Sequence, residues 1–145
     1  GSFGDRRLGV AMARIDEIRS LPHKEATRLR KAGVRTTEAL LRRASTRSGR
    51  AELSKATGIP TSDLLKWVNL ADLMRVKGIG GEYAELLSLC GVNTLRELKR
   101  RNSVALTAKI FSVNGRKDLV RRLPTESMVD TWIQRASDLE PLVKH

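Results

Sequence analysis

The residues whose types and spacing could do chemistry lie first of all in Val76-Lys77-Gly78-Ile79-Gly80-Gly81. Two glycines within three residues permit a tight turn between helices, and the amides opening the next helix have no intrahelical acceptor. Such amides suit a phosphate oxygen, with Arg75 and Lys77 supplying charge beside Gly78, Gly80 and Gly81. Glu82 and Glu85 follow at once; carboxylates there favour the helix dipole but repel an incoming anion, so a purely structural hairpin is the competing reading. Tyr83 fits half-buried packing beside the turn better than stacking on a sugar or base.

The second resource is charge. The net charge is +12, and residues 19–55 hold eleven basic and three acidic side chains, so most of the excess is local. Arg28, Lys31 and Arg35, together with Arg42, Arg43, Arg47 and Arg50, form a candidate surface for tracking a phosphate backbone. Lys99, Arg100 and Arg101 with Arg116, Lys117, Arg121 and Arg122 form another. Local cationic excess favours a polyanion through counterion release. Nucleic acid ranks above a membrane surface, because no basic helix with bulky aromatics is present. Aromatics are only 3%, which disfavours a platform for stacking single-stranded bases.

Catalytic groups are sparse. His23 and His145 stand in a turn and near the end of the chain, and no Cys/His set has metal-ligand spacing. Cys90 falls on an inward helical position and reads as a small core residue. No enzyme activity, metal or cofactor is expected.

These residues must be positioned by helices, since strand signals are poor and helix formers abundant. The pattern predicts a helix from Arg6 to Ile18, one from His23 to Ala32 stopped by Gly33, one from Thr36 to Ala44, and one from Ser48 to Thr57. A longest helix runs from Pro60 to Val76. Its polar positions Asp63, Lys66, Asn69, Asp72 and Arg75 recur every third residue, so the polar stripe winds around the axis and the helix bridges two partners. Thr94 and Glu97 form a capping box, Gly115 should break the following helix, and a short basic helix should carry Lys117, Arg121 and Arg122. Pro124-Thr125 opens the last helix.

Two tandem copies are legible. Ile15, Ile18, Leu21, Ala26, Leu29, Gly33, Val34 and Thr36 recur as Leu73, Val76, Ile79, Ala84, Leu87, Gly91, Val92 and Thr94, always 58 positions later. Trp67-Val68 recurs as Trp132-Ile133, 65 positions later. The first turn, Ser20-Leu21-Pro22-His23, lacks the glycines, and Pro22 has no amide to donate.

The Gly78-Ile79-Gly80 turn resembles the helix-hairpin-helix family, which implies sequence-independent binding of nucleic-acid backbone. Leu73 to Gly80, Glu82 to Leu87 with Gly91-Val92, and Leu119 to Pro124 with Trp132 resemble a poorly characterised bacterial family of tandem helix-hairpin-helix proteins, a domain of unknown function. The resemblance implies an all-α fold of two such repeats; together with the bridging helix and the internal repeat, the expectation is two repeats fused through a shared central helix, with boundaries 5–68 and 69–140 and a frayed tail at 141–145. The function expected is a non-enzymatic, sequence-independent DNA-binding module, with DNA ahead of RNA. The alternative is a rigid helical adaptor for an acidic protein partner. A single cysteine and no apolar run near the roughly 20 residues needed to cross a bilayer point to a cytoplasmic protein. Gly1-Ser2 reads as a cloning scar, so the natural chain is expected to continue upstream. Oligomeric state has no signature in the sequence.

Overall fold

The computed structural model describes residues 13–145. The expected helix from Arg6 lies outside them as far as Met12, and its described end is a short 3-10 turn, Ile15–Glu17, rather than α-helix. Eight α-helices follow: α1 His23–Lys31, α2 Thr37–Ala44, α3 Arg47–Thr57, α4 Thr61–Leu73, α5 Gly81–Leu89, α6 Leu95–Lys99, α7 Ser103–Lys117 and α8 Glu126–Ser137. Among the described residues there is no strand, only an isolated bridge between Arg14 and Thr36.

Local chemistry accounts for most boundaries. Thr36, Thr46, Asn102 and Thr125 each accept an amide from the first turn of the helix they precede. At the start of α6, Thr94 and Glu97 form the expected capping box. Gly33 ends α1 with φ +88°, and Val34 N–H donates back to the Leu29 carbonyl at 2.8 Å, which satisfies a terminal acceptor.

The same backbone bonds recur 58 positions on. Gly91 has φ +87°, and Val92 N–H donates to the Leu87 carbonyl at 2.9 Å. Leu21 to Ile18 is matched by Ile79 to Val76, and Ala26 to Pro22 by Ala84 to Gly80. Packing corresponds too: α4 lies on α2 and α3, as α8 lies on α6 and α7. Because α4 also touches α5, it joins the two sets. Its winding stripe explains this, since Asp63 and Lys66 near its start are exposed whereas Asp72 near its end is buried. One continuous core results, running from Ile15, Leu29 and Leu40 through Leu64 and Trp67 to Leu87, Leu95 and Trp132.

Several expectations need correction. The helix opened by Pro60 stops at Leu73, not Val76, and at 13 residues it is shorter than α7 with 15. Gly115 does not break α7, because an exposed glycine costs a helix only about 1 kcal/mol; the helix ends instead at Asp118, in the left-handed region at φ 50°. Consequently Arg121 and Arg122 lie in a non-helical segment rather than in a short basic helix.

Finally, the tail is docked, not frayed. Val143 is buried, Lys144 N–H donates to the Ser45 carbonyl at 2.7 Å, and Leu142 N–H donates to Asp72 Oδ2 at 3.1 Å.

Candidate nucleic-acid interface

Past α4, the chain turns through Met74 to Gly80, and each glycine there meets different surroundings. Gly78 has φ +101°, and a Cβ would sit 2.9 Å from Trp132 Nε1, so both backbone and packing require its absence. Arg135 donates to the Lys77 carbonyl at 2.6 Å and ties the turn to α8. Gly80 has ordinary backbone angles, and a Cβ there would meet nothing within 4 Å. Gly81 is the reverse case, since its Cβ would collide with the Glu17 carbonyl oxygen. The start of α5 therefore rests directly on the 3-10 turn of the first half, which brings the two interhelical turns side by side.

Arg19 crosses this seam. Its guanidinium lies 3.5 Å from the Glu82 carboxylate, so the acid feared to repel a phosphate already faces a cation. Beyond the seam, the side chain of Asn114 receives the amides of Leu119 and Val120 at 2.8 and 3.0 Å and donates to the Val120 carbonyl at 3.2 Å. Tyr83 Oη donates to the Arg122 carbonyl at 2.8 Å, while its ring packs on Trp132 at a centroid distance of 5.1 Å. Tyr83 is thus a strut. The backbone of Arg121 and Arg122 is pinned, and their side chains remain exposed.

Together these elements enclose an open cleft of about 890 Å³, lined by Gly78, Gly80 and Gly81, by Arg19, Arg121 and Arg122, and also by the acids Glu82 and Asp118. Arg19 did not stand out in the sequence, although the 58-residue register pairs it with Lys77. That pairing was the available signal.

The other expected contact residues divide. Arg28, Lys31 and Arg35 are exposed, and their side chains have no hydrogen-bond or ion-pair partner among the described residues; Arg47 and Lys77 are also exposed. Arg42 is exposed but bonds Glu38 at 2.8 Å, and Arg43 donates to the Ala32 carbonyl at 3.1 Å, which brings the ends of α1 and α2 together. Two expectations are overturned. Arg75 is buried, with its guanidinium 2.7 Å from Asp72 Oδ1 and 2.9 Å from the Glu140 carbonyl. Arg50 is buried as well, donating to the carbonyls of Ala44, Ser45 and Lys144. Burial, reinforced by the charge of Arg47, lowers its pKa from the usual arginine range. Neither is placed to meet a ligand, because both guanidiniums are buried and already bonded within the fold.

Cys90 is fully buried, and burial raises its thiol pKa despite the opposing charges of Lys109, Arg101 and Arg116. Among the described residues, no three His, Cys, Asp or Glu side chains are grouped so as to hold a metal ion. Nor is any helix among them long and apolar enough to cross a membrane.

Fold and site define an all-helical protein with an arginine-lined, polar cleft between two adjoining turns. The chain belongs to the family described as Domain of unknown function (DUF4332), whose profile matches residues 19–139. No curated protein and no solved structure matches it significantly.

Proposed function

We propose that the chain is a non-enzymatic nucleic-acid-binding module that grips the phosphate backbone without reading sequence, with DNA ahead of RNA as its ligand. In this reading its two halves are tandem helix-hairpin-helix units. The observation that carries it is the cleft in which the open backbone at Gly80 faces Arg19, Arg121 and Arg122. Phosphate needs donors and charge without base-specific groups, and that combination is what the cleft offers. Arg28, Lys31, Arg35 and Arg47 add exposed cations in the first half, which suits a ligand that carries many phosphates. The local excess of charge in residues 19–55 supports the same ligand class.

The test is fluorescence anisotropy of the chain against labelled duplex DNA, single-stranded DNA, a branched junction and duplex RNA, each over a salt series. Dissociation constants of about micromolar or tighter at low salt, falling linearly on a log-log salt plot, are the expected result. Reversing both charges with Arg121→Glu and Arg122→Glu should weaken every ligand by about tenfold or more and flatten the salt slope. Flat curves for all four ligands at low salt would end the proposal.

A further inference from the structure

α7 has an outer face that neither the core nor the cleft uses. Positions 104, 108, 111 and 115 are spaced so that they line one edge of a helix, and Val104, Ala108, Phe111 and Gly115 there are all exposed. Val104 is 58% and Phe111 68% exposed, the highest values for large hydrophobic side chains among the described residues. On the opposite side, Leu106, Ile110 and Val113 are buried in the core. The helix is apolar on two faces and covered on one. Its counterpart α3 exposes no large hydrophobic side chain, so the stripe is particular to α7 and not a by-product of the repeated packing.

Charge selects the occupant. α7 contains no Asp or Glu, whereas Lys109 and Arg116 run along one flank of the stripe and Lys117 stands near its end. Lys109 and Arg116, seven positions apart and both exposed, share that flank of the helix. A second copy of the chain would oppose like charges across this face. A duplex would gain from the cations but nothing from Val104 and Ala108, which offer no hydrogen bond. We infer that the outer face of α7 docks an acidic amphipathic helix of a protein partner. Its apolar anchors pack against Val104 and Phe111, Ala108 and Gly115 allow close backbone approach, and its carboxylates face Lys109 and Arg116. This surface is separate from the cleft and does not depend on nucleic-acid binding.

The test uses a displayed library of amphipathic helices, free to vary on both faces, selected on the full chain. Enriched members should be acidic beside their apolar stripe. As labelled peptides they should bind Phe111→Ser and Val104→Ser chains at least about tenfold more weakly than the wild type, with circular dichroism unchanged because both positions are exposed. A Gly80→Leu chain should bind them normally. Failure to enrich any helix, enrichment of helices lacking acidic flanks, or binding that Phe111→Ser leaves intact would overturn the inference. So would dimerisation abolished by Phe111→Ser in sedimentation velocity, or loss of duplex DNA affinity in that variant, which would assign the face to a second copy or to nucleic acid.

Discussion

Gly78, Gly80 and Gly81 share a composition and a neighbourhood, yet what a methyl group would strike separates them. At Gly78 it meets the Trp132 indole and a positive φ, and at Gly81 it meets the backbone of Glu17. At Gly80 it meets open space. Gly81→Ala should therefore lower the urea midpoint by the equivalent of about 1–3 kcal/mol, the usual range for overpacking, and Gly78→Ala should cost a similar amount through strain. Gly80→Leu should unfold at nearly the wild-type urea concentration. If the amides contact phosphate, the same substitution should weaken DNA binding several-fold. Normal DNA affinity in a folded Gly80→Leu chain would remove the turn from the interface and leave the arginines to account for binding.

At the scale of elements, what was legible in the sequence was whatever local chemistry decides. The caps at Thr36 and Thr94, the glycine stops after α1 and α5, and the inward rows of Leu and Ala are short-range features, and each appears where the pattern puts it. What was not legible depends on partners far along the chain. Arg50 looked like one more cation of a basic cluster because one of the three carbonyls it bonds belongs to Lys144, 94 residues away. Arg75 looked like a companion to the glycine turn, but the Glu140 carbonyl, 65 residues later, helps hold it inward beside Asp72. The arginine side of the cleft was partly hidden for the same reason, since Asn114 and Tyr83 set the path of residues 119–122. The exposed face of α7 is not legible in the sequence, because its buried residues alone satisfy a helical pattern. The Asp72–Arg75 pair yields a prediction at this scale. Asp72→Ala leaves a buried guanidinium without its carboxylate and should cost about 3–5 kcal/mol in chemical denaturation, far more than the same change at an exposed pair such as Arg19–Glu82.

For the whole molecule, the docked tail matters most. Asp72 and Arg75, near the join between the two halves, hold Leu142 and Glu140, while Ser45 and Arg50 of the first half hold Lys144. Val143 is buried between these anchors in the sequence. A chain ending at Leu139 should lose about 1.5–3 kcal/mol from Val143 alone. It should lose a comparable amount for the guanidinium bonds left unmade, and urea unfolding followed by circular dichroism would measure the sum. A truncated chain as stable as the full one would show that the tail contributes nothing to the fold.

The same clasp bears on the order of events during synthesis. Domains commonly assemble from the N-terminal side as the chain emerges. Here the corner between α2 and α3 stays unfinished until residue 144 has been made, because Arg50 has no carbonyl from Lys144 to bond before then. The half translated first is thus completed by residues translated almost a hundred codons later, and a ribosome stalled between the halves would display a nascent chain with an open flank.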